Sequence, residues 1–309
     1  MSYSDNAIAF STLPVSHQVR FEDRVSFAYI EKAVVLQNRT GVWAMQEEAD
    51  ELVQLQIQLP VGGIAVLALG PGTSITHPAM MSLTRSGATV VFAGGGGNNA
   101  YAAATPLTSS SRWALAQAHL VTREEETKQA AIVLYKQQLG LDVLPGGSIN
   151  TMRGLEGRAI RDLYKKLAKQ HGIKSFRREV AAEDPVNTGL NLGNSILYGC
   201  AAAACSAIGV NPALGIIHRG NRRSLLFDLA DLYKPKITIP AAFASAAEED
   251  SAGAVRRLVR KAIHKQKVMA GMVETLMTVL SPHLPGQDDD RLVGDESEIQ
   301  GHTNYGGDE

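Results

Sequence analysis

The 309-residue chain has almost no cysteine, only Cys200 and Cys205. Five residues apart on an expected helix, they point to different sides and cannot pair, which excludes a disulfide framework and predicts a reduced, cytoplasmic protein. The first 24 residues lack the basic, then apolar, then small-residue order of a secretory signal, so nothing argues for export. A long uninterrupted apolar run is also missing. The stretch 196–217 comes nearest, but it is Ala-rich and broken by Gly209 and Asn211-Pro212, so a core helix followed by a strand is expected there. The run Gly94-Gly95-Gly96-Gly97-Asn98-Asn99 lacks the Lys-Ser/Thr of a phosphate loop and any GxGxxG spacing before a helix, which leaves a hairpin turn. The chain has no internal repeat of fixed period and no zinc-finger or RNA-recognition signature.

Net charge is nearly absent too, at −1, but its distribution is uneven. Residues 283–309 hold eight acids and one base, Arg291, whereas the rest carries 29 bases against 23 acids, a net of +6. A basic body beside an acidic, Gly- and Asp-rich tail fits a polyanion partner for the body; the tail is either disordered and interaction-prone or an inert solubiliser. Short Val-, Ile- and Leu-rich strands are expected at 25–30, 33–37, 53–59, 64–69 and 89–93. From Arg112 the period becomes helical, over 112–139, 151–170, 190–208, 224–234 and 252–280. The predicted fold class is α+β. A β-rich domain over 1–105 precedes an α-helical domain over 106–282 and a disordered acidic tail over 283–309, the Pro- and Ser/Thr-rich segment 104–111 serving as linker and helix cap.

Two groups of acids lie where apolar residues are expected. Glu156 shares a helix face with Met152, Leu155, Ile160, Leu163 and Leu167, and only Arg153 is spaced to pair with it along that helix. A carboxylate so placed is normally neutralised, paired or metal-bound. Gly154 and Gly157 flank it, each costing about 1 kcal/mol relative to Ala in a helix, which fits a close approach by another backbone or a substrate. Asp228 and Asp231 share a face of the next acidic helix amid Leu225, Leu226, Phe227, Leu229 and Leu232. His218 ends a short apolar segment just before it. Each feature alone is commonly structural. Together they make a candidate mixed nitrogen and oxygen site, better suited to Mg²⁺ or Mn²⁺ than to zinc.

Basic residues bracket this site, nine between Arg153 and Arg178 against two acids, and six between Arg256 and Lys267 with no acid. Such imbalance fits binding to a phosphate backbone and to DNA shape more than base readout. The order MRGLEGRAIR, SILYG and GIIHRGNRRSLLFDLADLYK, together with RVSFAYIE at 24–31 and LGPGTSITHPAM at 69–80, resembles the CRISPR-associated integrase that inserts new spacers, in its type I-E branch. The resemblance spans nearly the whole chain and implies a β-sandwich N-terminal domain, a helical catalytic domain and a homodimer. It also implies that two dimers are bridged by a small ferredoxin-like CRISPR-associated partner dimer, which the C-terminal tail reaches.

Carried over to this sequence, the family's metal ligands fall on Glu156, His218 and Asp231, with Asp228 as the adjacent catalytic acid. Its DNA-contacting positions fall on Arg153, Arg161, Arg177, Arg178, Asn187, Arg256 and Arg260. Tyr198 matches a tyrosine near the reacting DNA end and equally suits helix packing. Lys32 stands where one relative has a fork-wedging aromatic, and Ser74 and Asn99 where it has arginines. The implied reaction is attack by a 3′-hydroxyl of double-stranded DNA on a phosphodiester of the CRISPR repeat. The competing readings are a metal-dependent repair nuclease and a non-catalytic DNA-bridging scaffold.

Overall fold

The computed structural model describes residues 24, 27–47, 54–95, 102–104, 111–141, 148–285, 291–293 and 298–300. Its first part runs β1 (Ala28–Ile30), β2 (Val34–Asn38), β3 (Gly41–Glu47), β4 (Gln54–Leu59), β5 (Val66–Leu69), β6 (Ser74–Ile75), α1 (His77–Arg85), β7 (Thr89–Phe92) and β8 (Ala102–Ala104). These strands make two four-stranded sheets, ordered β1-β5-β7-β8 and β4-β3-β2-β6. Strand β3 shows no clean alternation in sequence because Trp43 and Met45 are apolar on the face opposite buried Val42 and Ala44. Its pairing with both β2 and β4 fixes it as a strand. The 69–80 segment that carries part of the resemblance ends in a helix, since α1 begins at His77 with Pro78 in its first turn and buries Ala79 and Leu83, four residues apart.

Strand β5 is apolar throughout because it is buried on both faces. Leu67 and Leu69 join Val35, Val42, Ile64, Leu83 and Val90 in the core between the sheets. Val66 and Ala68, pointing the other way, join Phe27 and Val91 in a larger core shared with the helices. The strand and helical regions therefore meet through a continuous apolar contact. β7 and β8 pair as an antiparallel hairpin around the glycine run, of which 96–101 lie outside the described residues together with Asn99 and the 105–110 part of the linker.

The helical region comprises α2 (Arg112–Val121), α3 (Glu124–Leu139), α4 (Ile149–Gln170), α5 (Pro185–Ile208), α6 (Ser224–Asp231), α7 (Thr238–Ala244), α8 (Ser251–Lys265) and α9 (Val268–Leu280). Two of the long helices expected from periodicity are each divided. The first breaks at Thr122-Arg123, and three glutamates at the start of α3 favour a new helix N-terminus there; the second breaks at Lys267, whose φ is +49°. α5 is the central post. Asp184 caps it by accepting from the N–H groups of Val186 and Asn187, and Gly199 lets it approach the sheet, where an added Cβ would lie 3.2 Å from Val66 Cγ1. No strand follows α5; residues 210–223 are irregular. In the acidic segment, His283 closes a 3₁₀ turn (Ser281–His283) and β9 (Arg291–Val293) pairs antiparallel with β10 (Glu298–Gln300). Among the described residues, no helix is long and apolar enough to cross a membrane.

Candidate active site

The loop after α5 carries the imidazole, and its shape follows from two buried side chains. Gln117 of α2 donates Nε2 to the carbonyls of Asn211 and Leu214 (2.9 and 2.8 Å), while its Oε1 accepts from the Asn211 N–H (2.8 Å). At the other end Asp228, only 1% exposed, accepts at Oδ2 from the N–H groups of Ile216 (2.6 Å) and Ile217 (3.1 Å). Its Oδ1 accepts from the His218 N–H (3.0 Å) and faces His218 Nδ1 at 2.8 Å. These backbone donors go to a carboxylate instead of a neighbouring strand, which is why the predicted strand is a loop. Gly215 is required inside it, because a Cβ there would lie 2.1 Å from the His218 carbonyl oxygen.

Asp228, the acid that the resemblance places adjacent to the metal ligands, lies against the His218 ring with both oxygens turned to the loop. Four donors occupy its two oxygens, and it acts as a positioning residue that fixes the imidazole with the proton on Nδ1 and Nε2 directed to the site. Nε2 lies 4.0 Å from Asp231 Oδ2. The hydrogen bond to Asp228 raises the His218 pKa, against the opposing effect of burial.

Glu156 sits half-buried on α4, as its helical spacing requires. Its partner is Gln138 at the end of α3, whose Nε2 donates to Glu156 Oε1 at 2.9 Å, and not the predicted Arg153, which is exposed on the same helix. Burial raises the Glu156 pKa, Gln138 opposes this, and the charge of Asp231 reinforces it. A Cβ added at Gly154 or Gly157 would meet nothing within 4 Å among the described residues, so their openness serves no packing there.

Asp231 completes the group. Lys234 Nζ lies 2.5 Å from its Oδ1 and also 4.9 Å from the centre of the Tyr198 ring. Burial alone would lower the lysine pKa, but Asp231 and Tyr198 outweigh it and the net shift is upward. Lys234 was not among the predicted site residues, although its three-residue spacing from Asp231 on one helical face was the signal for it. Tyr198 also stacks edge-on against Phe227 (5.2 Å), which in turn meets the His218 ring at 5.7 Å.

The donors of Glu156, His218 and Asp231 fit a cation chemically, as two carboxylates and one imidazole whose acids are partly buried. They do not all come within 4.8 Å of one another, and Lys234 supplies the positive charge beside Asp231.

A family model described as CRISPR associated protein Cas1 matches residues 136–252, which contain Glu156, His218, Asp228 and Asp231. The CRISPR-associated endonuclease Cas1 2 of Thermus thermophilus is 34% identical over 307 residues, covering 94% of this chain and 93% of its own length. The chain belongs to the Cas1 family. A crystal structure of a TtCas1–DNA complex superposes with a TM-score of 0.77 at 33% identity, over 90% of this chain and 99% of that one. A casposase bound to its integration product has the same fold, with a TM-score of 0.65 at 14% identity over 83% of this chain and 91% of the casposase.

In this Cas1-family chain α4, which carries Glu156, also forms one wall of a groove of about 820 Å³ whose other wall is residues 172–178. Arg161, Lys165, Lys169, Lys174, Arg177 and Arg178 line it, together with Tyr164 and Phe176. Asn187 is not part of that surface. It is 2% exposed, accepting from Arg178 Nη1 (2.9 Å) and the Glu179 N–H and donating to the Arg177 carbonyl and Asp184, so its hydrogen-bonding capacity is spent holding the arginine segment on α5. Arg256 lies with its guanidinium 5.3 Å from the Tyr29 ring centre, tying α8 to β1, whereas Arg260 is exposed. Lys32 sits at a turn with φ +51°, and Ser74 pairs with Val34 across β6 and β2.

The upward shifts at Glu156 and His218 set a pH dependence for the metal-free protein. A carboxyl or imidazole that holds its proton more tightly when folded stabilises the fold at low pH and loses that contribution as pH rises from the unfolded through the folded value. With chelator present, Glu156→Gln should raise the urea midpoint relative to wild type at pH 8 and leave it nearly unchanged at pH 4. Equal midpoints at both pH values would show that ionised Glu156 costs the fold nothing.

Proposed function

We propose that this chain is a divalent-metal-dependent DNA integrase and endonuclease that inserts DNA fragments into a CRISPR array as new spacers, in the type I-E branch. The observation that supports the reading is that Glu156, His218 and Asp231, from three separate segments, come near enough to influence one another electrostatically, while the helix carrying Glu156 also lines a groove with six bases. Those three residues would hold Mg²⁺ or Mn²⁺. Bound there, the ion would stabilise charge on the attacked phosphate and favour ionisation of the 3′-hydroxyl.

The protein's own groups supply orientation. Asp228 fixes the His218 ring, Lys234 restrains Asp231 from behind, and the groove bases hold the DNA backbone so that hydroxyl and phosphate meet in line. The same site would cleave branched DNA, the reverse reaction. A homodimer, bridged to a second by a small CRISPR-associated partner that receives the acidic tail, would bring two such sites to the two ends of one fragment.

Incubating duplex DNA and a supercoiled repeat plasmid with the protein, the small partner and Mn²⁺ tests this reading. Joined products are expected; fragments alone would favour a repair nuclease, and retarded bands alone a scaffold. For the groove, the double substitution Arg161→Ala and Lys165→Ala should flatten the dependence of log affinity on log salt by about two units, roughly one per lost phosphate contact. An unchanged slope would place the DNA on another face.

A further inference from the structure

A second cluster of metal-binding side chains lies outside this site. His119 stands in the last turn of α2, Glu126 in the first turn of α3, and His283 in the 3₁₀ turn Ser281–His283 that follows α9. The α2–α3 corner brings the first two face to face, and the end of α9 delivers the third. Among the described residues, this is the one group of three His, Cys, Asp or Glu side chains whose donor atoms all lie within 4.8 Å of one another.

We propose that His119, Glu126 and His283 bind a divalent transition-metal ion of the zinc class, at a site separate from Glu156, His218 and Asp231. Both imidazoles turn Nδ1 toward the same oxygen, Glu126 Oε2, at 3.2 Å for His119 and 3.1 Å for His283. Two ligands each about 2.1 Å from one ion are separated by about 3.0 Å in octahedral and about 3.4 Å in tetrahedral geometry. The observed separations fall between these values. Glu126 Oε2 is itself buried and, among the described residues, accepts no hydrogen bond, despite the two nitrogens beside it. An oxygen and two ring nitrogens that approach without hydrogen-bonding geometry are arranged as ligands around a common point, and an ion there would satisfy the buried oxygen.

The donor set selects the ion. Two imidazoles with one carboxylate suit Zn²⁺ and its neighbours, whereas Mg²⁺ prefers oxygen ligands and retained water. His283 is 14% exposed and His119 41%, so the cluster is closed on the α9 side and open to solvent at α2, where water would complete the coordination. Arg123 Nη1, 3.8 Å from Glu126 Oε1, pairs with the other carboxylate oxygen and leaves Oε2 to the metal. The ion would fasten the turn that ends the helical region to the α2–α3 corner through His283, the first residue of the 283–309 segment.

The test uses full-length protein stripped with chelator, titrated with Zn²⁺ by calorimetry in excess Mg²⁺ and followed by thermal melting. Wild type and the Glu156→Ala, Asp231→Ala double variant should each bind one zinc equivalent that the His119→Ala, His283→Ala double variant lacks. The same equivalent should raise the melting temperature in the first two proteins and leave the third unchanged. Co²⁺ replacing Zn²⁺ should give visible absorption that the histidine double variant lacks. Equal zinc stoichiometry and equal melting shifts in wild type and the histidine double variant would overturn the proposal, as would loss of the equivalent in the Glu156, Asp231 variant. If the double variant fails to fold by circular dichroism, His119→Gln gives the comparison at an exposed position. It should weaken zinc binding by at least about tenfold, and wild-type affinity there would overturn the site.

Discussion

Asp228→Ala is expected to destabilise the protein by about 3–5 kcal/mol, because it removes a buried charged acceptor and strands three backbone N–H groups in an interior loop. The loss is larger than deletion of a solvated helix acid, which typically changes stability by about 0.5 kcal/mol or less. Activity should fall with it, since His218 loses both the partner of Nδ1 and the loop geometry that presents its ring. Asp228→Asn separates the two effects. An amide keeps one acceptor oxygen but turns an NH₂ group toward backbone donors, so the fold should be partly retained while the imidazole is no longer held as before. Urea denaturation and strand-transfer rates measured on both variants check this. A stable Asp228→Ala protein with wild-type activity would mean that Gln117 alone shapes the loop.

Glu156→Ala, His218→Ala and Asp231→Ala should each lower DNA joining and branched-DNA cleavage by at least about a hundredfold, the scale of losing one group that stabilises transition-state charge. DNA affinity should stay within a few-fold of wild type in each, because the proposed DNA contacts are the groove bases and not these three residues. The residues sit in different settings, so their effects on stability should differ. His218 is half-exposed, and its loss leaves the buried Asp228 carboxylate one partner short. Asp231→Ala leaves Lys234 with Tyr198 but without its carboxylate partner, an unpaired and largely buried charge. Single-turnover assays beside binding titrations separate chemistry from affinity. Full activity of any one variant in Mg²⁺ or Mn²⁺ would remove that residue from the ligand set.

Periodicity alone placed Glu156 on the apolar face of α4 and Asp228 with Asp231 on one face of α6, and the shift from strand-like to helical pattern told a strand-rich N-terminal part from a helical C-terminal one. These features are written along single elements, where side chains three or four apart on a helix, or two apart on a strand, must share a face. The bases between Arg153 and Arg178 were equally visible, although not which of them would line a groove and which would be held by Asn187.

Tertiary structure decided what each acid does. Sequence spacing offers Arg153 to Glu156, but the packing of α3 against α4 supplies Gln138 instead, and the two aspartates that seemed to call for a shared cation are separated into one that builds a loop and one that faces Lys234. The clamp from Gln117 to Asn211 crosses 94 residues of sequence, and the meeting of His119, Glu126 and His283 depends on where α9 ends relative to the α2–α3 corner. Such partners have no common period. A residue's own helix determines the direction in which it points, whereas the groups it meets there are set by how helices and loops distant in sequence pack around α5.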